Sequence, residues 1–438
     1  MFKINEFLAK ISTSFIFYFF IIFAIFCFLK IEYIFPMLFV IHMVSGTAQK
    51  VFAIMFPYIS LTGVINLFCI FLFLFHLLNI LENKDYLNHS LLKYFVVYLC
   101  FLFFTLVYHW NFLSFFRLGS KVLSFLAIYY FCQISILKFK DFDKIFCYFL
   151  AVLFLLFSFL GLCLAFISNF SYDTSRSIKF HFLFFEFPHS FSIFVSVLVP
   201  IFYYYIVTKK ISKYYYVVVF FTLPVAVYFG GAKIGVIVYM LSLLVTLFYT
   251  YRNKPIKYYS VVIGVMFCAL IFFVHTSMYQ QLREIFSIPL KTYIENTSSY
   301  SINSFHTRVK VWVWMYQTLV KHDALLFGMG YSAWRIVYWP RTNFASAQSD
   351  YFTTLFDVGV IGLIGFLCFR LLIVYRLLQV SKYNVRAIYL AIGLVCAYFI
   401  GGLTESVEGY PSTSWLLPVF LAMGEAWSKN KESVLNND

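Results

Sequence analysis

Charge is scarce in this chain. Asp and Glu number 18 and Lys and Arg 33 among 438 residues, so only 12% of the chain is charged. A soluble domain carries about 25% and needs it to cover its surface, so the composition excludes a soluble globular protein. Familiar catalytic signatures are missing too. There is no Walker loop, no G-x-S-x-G, no H-E-x-x-H and no His/Cys pattern with metal-ligand spacing. Nucleotide hydrolysis and chemistry on a protein-bound metal therefore have no support in the sequence, and no cofactor or metal is expected. The nine cysteines (27, 69, 100, 132, 147, 163, 268, 368 and 396) all lie in apolar runs and form no C-x-x-C pair. That pattern suits packing and argues against a disulfide framework or a zinc site. No linker and no repeat of fixed period divides the chain, so a single membrane domain over 1–438 is expected.

Apolar residues are abundant. They make up 63% of the chain, 23% of it is aromatic, and the mean hydropathy is +0.86. Apolar runs of about 17–25 residues recur, each able to cross about 30 Å of hydrocarbon as a helix. They fall near 10–29, 58–81, 91–108, 119–137, 145–168, 191–208, 215–231, 234–250, 260–276, 353–378, 388–404 and 412–427. The expected fold class is an all-α polytopic integral membrane protein of about twelve transmembrane helices. Pro36 interrupts the short apolar piece 31–46, which suits either a re-entrant segment or an extra span. Lys3 and Lys10 precede the first run as in a signal sequence, but no small-residue cleavage site follows, so an uncleaved first helix is expected.

The net charge of +15 is topological. Lys138, Lys140 and Lys144, Lys209, Lys210 and Lys213, Arg252, Lys254 and Lys257, and Lys382 and Arg386 all fall in short loops. Such loops stay on the cytoplasmic side, and no nucleic-acid partner is expected. Both termini are then cytoplasmic, and two loops face outward, 168–190 and the large 275–352, which contains an amphipathic helix beginning at Ser304.

The outward side gathers the candidate site residues. Arg308 and Trp312 are i,i+4 neighbours on the amphipathic helix, and His306, two residues before Arg308, is with His189 a further candidate base. Gly328 and Gly330 suit a tight turn or a close backbone approach to a ligand. The stretch 328–352 also carries Arg335, Arg341, Asp350 and Tyr351, with Tyr331, Trp334, Tyr338 and Trp339 suited either to stack on sugar rings or to form a membrane belt. Lys233 falls between two adjacent apolar runs, where a charge is costly unless it meets a cavity or an anion. Arg176, Lys179, Glu186 and His189 occupy the smaller loop, and Glu405 and Glu408 the last external turn. Each alone also reads as a satisfied helix-end residue. Together they suit a phosphate-bearing lipid held by cations, with a carboxylate as base.

Several of these stretches, in this order, resemble the O-antigen polymerase and ligase superfamily, with the polymerase family favoured. They are Arg308-VKV-Trp312, Gly328-Met-Gly330, SAQSDY over Ser346–Tyr351 and DVGVIGLIGF over Asp357–Phe366, with FEFPHS over Phe185–Ser190 and GGAKIG around Lys233 upstream. The likeness spans the last two thirds of the chain. It implies a metal-independent glycosyltransferase of GT-C-type architecture in the bacterial inner membrane, with its active site facing the periplasm. The implied substrate is an undecaprenyl-diphosphate-linked oligosaccharide, and the implied partners are the bilayer, a chain-length regulator and a flippase.

In that family setting Lys233, Arg308 and Arg176 would bind the diphosphate. Gly328, Gly330, Arg335, Arg341, Tyr351, His189 and Glu405 would contact substrate, and Asp350 or Glu186 would act as base. The ligases carry a histidine where this chain has Gln348 and Ser349, which favours a polymerase. A ligase moving glycan to lipid A–core remains the neighbouring reading. A transporter is the reading of another class, disfavoured because the polar residues gather at one mouth and the helix interiors look nearly uncharged.

Overall fold

The computed structural model describes residues 33–38, 61–82, 90–108, 112–139, 142–170, 188–229, 233–254, 264, 304–334, 348–409 and 411–435. All regular elements among them are helical. In chain order they are α1 (Leu61–Glu82), α2 (Ser90–Tyr108), α3 (Phe112–Lys138), α4 (Phe142–Phe170), α5 (Pro188–Val207) and α6 (215–229). They continue as α7 (Lys233–Tyr251), α8 (Ser304–Lys321), α9 (Asp350–Ser381), α10 (Arg386–Leu403) and α11 (Leu416–Leu435). Six of the described helices, α3, α4, α5, α7, α9 and α10, are long and apolar enough to cross a bilayer. The protein is a multi-pass membrane protein. The expected runs at 10–29 and 260–276 lie outside the described residues, as does most of both outward loops. The amphipathic helix begins at Ser304 as its periodicity predicts.

α5 forms the centre of the bundle, packing against α7 and α10, while α3 packs on α1 and α11, α2 on α9, and α4 on α6. Lipid tails give apolar helices no hydrophobic reason to associate, so close approach and polar contacts between small side chains hold them together. The α5–α7 seam shows this: Ser242 donates to the Ser196 carbonyl at 2.8 Å, and Ser196 in turn to that of Ser192 at 2.6 Å. Large apolar side chains such as Phe104 and Phe159 stay exposed on α2 and α4, as expected of a surface facing hydrocarbon.

One expectation needs correction. The apolar run near 353–378 is a folded hairpin rather than a straight span. Gly359 sits at φ 68°, ψ −171°, outside helical geometry. The two halves of α9, 350–358 and 360–381, lie side by side, so Asp350 and Arg370 touch at 2.7 Å. In a straight helix their 20-residue separation would span about 30 Å.

Such a bend strands helix-terminal donors and acceptors, and the segment after α8 satisfies them. Val360 and Ile361 N–H donate to the carbonyls of Leu325 and Leu326, at 3.0 and 3.2 Å. Met329 and Gly330 N–H donate to Phe356 and Asp357, at 2.8 and 2.9 Å. The fit demands bare backbone. Gly328, at φ 73°, lies against Gly359, and a Cβ on Gly328 would come within 2.5 Å of the Gly359 nitrogen.

Of the helices α1–α11, α6 and α10 carry π-helical turns, Val218–Thr222 and Val395–Ile400. A π turn loosens the regular ladder and offers carbonyls to other donors. Here Tyr239 of α7 donates to the Val219 carbonyl, and Arg370 and Tyr351 donate to carbonyls of α10.

At the end of the bundle where α10 begins, Asp143 of α4 is held by Lys210, by Arg386 and by the Tyr205 hydroxyl at 2.7 Å. The Arg386 guanidinium also stacks 4.5 Å over Trp427 of α11.

Candidate functional site

The opposite end, where α10 stops at Leu403, holds the charged site. Asp350 opens α9. Ser349 caps that helix, its hydroxyl accepting from Phe352 N–H at 3.4 Å and donating to the Gly402 carbonyl at 3.3 Å. These bonds tie the start of the hairpin to the short turns of residues 401–409.

Asp350 is buried beside Arg370, which reaches across from the other half of the hairpin. Arg370 is 1% exposed. Its Nη2 meets Asp350 at 2.7 Å and Glu408 at 3.1 Å, and its Nη1 donates to the Tyr398 carbonyl at 2.6 Å. The Phe366 ring lies 4.0 Å from the guanidinium. Glu408 also accepts from Lys121 of α3 at 2.8 Å, and its own N–H points at the Asp350 carboxylate at 3.4 Å. Burial pushes the Glu408 carboxyl upward, but the charges of Lys121 and Arg370 outweigh it and hold the group down at about 2.

A second pair adjoins the first. Arg308 of α8 meets Glu405 at 3.0 Å and donates through Nη1 to the Thr404 carbonyl at 2.7 Å. Its buried Nε has no hydrogen-bond partner. The Asp350 N–H points at the Glu405 carbonyl at 3.3 Å, linking the pairs through backbone. Trp312 stacks flat on Phe352, centroids 4.7 Å apart, and fixes α8 over the hairpin. Arg308, Arg370 and Lys121 thus face Glu405, Asp350 and Glu408 with no net charge. Buried charges survive in pairs because isolation would cost several kcal/mol each.

Other expected site residues take varied positions. Lys233 opens α7, and five residues on Val238 packs beside Gly401, so that end of α7 stands at the charged end of the bundle. His189 lies in the first turn of α5, whose Ile193 also borders Gly401. The Tyr351 hydroxyl donates to the Phe399 carbonyl at 2.9 Å. The close backbone approach at Gly328 is to the chain's own bend, and Gly330 completes it. Trp334 is buried between Trp314 and Phe356 and is not free to stack on a sugar. His306 falls in the first turn of α8. Arg176, Lys179, Glu186, Arg335, Arg341, Tyr338 and Trp339 lie outside the described residues.

Sequence reading passed over Arg370 and Lys121, and the expectation of nearly uncharged helix interiors is corrected by both. The signal was present: an arginine well inside the apolar run 353–378 is costly and calls for a partner. Two carboxylates in the turn after α10 were available to supply it.

Fold and site together define a multi-pass membrane protein with an ion-paired polar site at one end of its bundle. Residues 217–367 match the family model described as O-Antigen ligase. That is about a third of the chain, from α6 into the second half of α9, and it includes Arg308 and Asp350 but neither Arg370 nor Glu408. The match supports the O-antigen ligase and polymerase superfamily without separating its two branches. No curated protein matches the chain.

Proposed function

We propose that the chain is a polymerase of O-antigen or a related surface polysaccharide, with a GT-C-type architecture of about twelve spans. It would transfer a growing glycan from undecaprenyl diphosphate to the non-reducing end of a lipid-linked repeat unit. The reaction would run at the periplasmic face of the inner membrane, alongside a flippase and a chain-length regulator. The observation that carries this reading is the buried charged site at one end of an apolar bundle, two of whose members lie in the stretch that matches the family model.

Arg308 is the proposed contact for the diphosphate leaving group, aided by Lys233 and Arg176, with its unpartnered Nε available for a further bond. Donors aimed at developing charge contribute about 2.7–4 kcal/mol to the transition state. Arg308→Ala should therefore leave the protein in the membrane and strip the strain of long-chain polysaccharide. Normal chain length at normal expression would remove Arg308 from the mechanism.

Asp350 is the proposed base, ahead of Glu186. Its ion pair with Arg370 fixes the carboxylate in place, and good positioning of the two sugars supplies much of the acceleration. Asp350→Asn should abolish polymerisation while the protein stays folded. Normal polymer from Asp350→Asn and none from Glu186→Gln would move the role to Glu186.

The ligase reading is favoured by the matched model's own description. The polymerase is favoured by Gln348 and Ser349 standing where the ligases carry histidine. Lipopolysaccharide from a deletion strain separates them on one gel. Single repeat units on lipid A–core indicate a lost polymerase, and long chains retained on the carrier lipid indicate a lost ligase.

A further inference from the structure

Lys121 differs from the rest of the ionic site. Its side chain is 47% exposed, against 16% for Glu408 and 1% for Arg370. It stands in a cleft between α2, α3, α9 and the start of α11, whose walls include Tyr98, Leu102, Leu118, Phe125, Phe369 and Leu417. Tyr98 stacks on Phe369 at 5.3 Å to form the floor. On the flank of the cleft, α2 turns Phe101, Phe103 and Phe104 outward, so the cleft is bordered by lipid-facing surface. A lysine at one end of an apolar slot, beside a bilayer, matches an amphiphile with a hydrocarbon chain and an anionic head.

We infer that this cleft is the lateral site through which the isoprenoid carrier reaches the enzyme, its chain against Tyr98, Leu102 and Phe125 and its phosphate on Lys121. The choice of an isoprenoid phosphate over other anionic lipids rests on the function proposed above. A lysine presents a compact charge with three donors and suits a phosphate that must also leave. Lys121 is the exposed member of its pair with Glu408, so a phosphate can reach the lysine while Glu408 keeps Arg370. The cleft thereby meets the ionic site at Lys121 and Glu408.

The test uses the full chain in nanodiscs and a photoreactive polyprenyl phosphate as probe. Label should map to peptides containing Tyr98–Leu102 and Leu118–Phe125. It should be competed by undecaprenyl phosphate, and not by inorganic phosphate or by undecaprenol. Lys121→Met should weaken labelling at least tenfold, and Lys121→Arg should restore most of it. Leu118→Trp, which fills the slot and leaves the lysine in place, should also block labelling. Equal competition by phosphatidylglycerol would overturn the choice of occupant, and label elsewhere, or unchanged label in Lys121→Met, would overturn the site. Failure of this site and failure of the polymerase reading are distinguishable. Label in the cleft with normal polysaccharide in a deletion strain sinks the reading alone. Label elsewhere with polysaccharide lost in that strain sinks the site alone.

Discussion

Arg370 shows what one side chain contributes here. It neutralises two carboxylates from different parts of the chain and closes a π-turn carbonyl, all within a buried site. Removing one partner of a buried ionic group costs about 3–5 kcal/mol, because the remaining charge has no compensation. Arg370→Leu should therefore lower thermal stability in detergent by that order. Arg370→Lys keeps the charge without the fork and should fall between. A melting curve for each variant checks the order.

Glu408 gives a pH expectation. Its carboxyl ordinarily titrates near 4.5 and is held down at about 2. The sign follows: its stabilisation is complete above the ordinary value and fades only as pH falls toward about 2. Across pH 5–8 Glu408 stays ionised. An acidic limb in the pH–rate profile within that window belongs to another group, and it should persist in Glu408→Gln. Loss of the limb in this variant would contradict the assignment. These residues were partly legible beforehand. Arg308, Asp350, Glu405 and Glu408 could be picked out as charges in polar loops. Arg370 was hidden by an apolar run read as a transmembrane helix, and its pairing depends on a fold-back that sequence distance disguises.

At the scale of elements, the hairpin of α9 decides the site. Gly359 and Gly328 meet backbone to backbone, both with φ in the left-handed region. A side chain at either position costs roughly 1–2 kcal/mol for conformation, and the 2.5 Å approach adds a clash. Gly328→Ala and Gly359→Ala should each destabilise the protein by more than that conformational cost. Since both open the same contact, the double variant should cost less than the sum, by about 0.5–3 kcal/mol. Full additivity in a thermal-shift cycle would argue against the shared contact.

The run DVGVIGLIGF gave no hint of the bend, because glycines are frequent in straight transmembrane helices as well. What singles out Gly359 is the segment 324–330, which caps both sides of the break from far along the chain. Helix α8 and most of the described spans were legible, since periodicity and run length are local properties. The bend, the π turns and the burial of Trp334 are set by tertiary partners.

For the whole molecule, charge distribution predicts that the 401–409 turn and the 382–386 turn lie on opposite sides of the membrane. Alkaline phosphatase fused after Glu408 should be active, and fused after Lys382 inactive. The reverse result would invert the proposed topology and move the site to the cytoplasm. Asp143 bears on how the bundle is made. Its two cationic partners emerge at different times, for Lys210 follows it by 67 residues and Arg386 by 243. At about 5–20 residues per second of synthesis, Arg386 reaches Asp143 roughly 12–50 s after it. Lys210 is available in less than a third of that time, so it can shelter the carboxylate while the remaining helices are still being inserted. A ribosome-stalled chain ending before Arg386 should accordingly tolerate Lys210→Met poorly, with faster degradation than the same substitution causes in the finished protein. The order in which this protein is born is thus written into which of its charges meets Asp143 first.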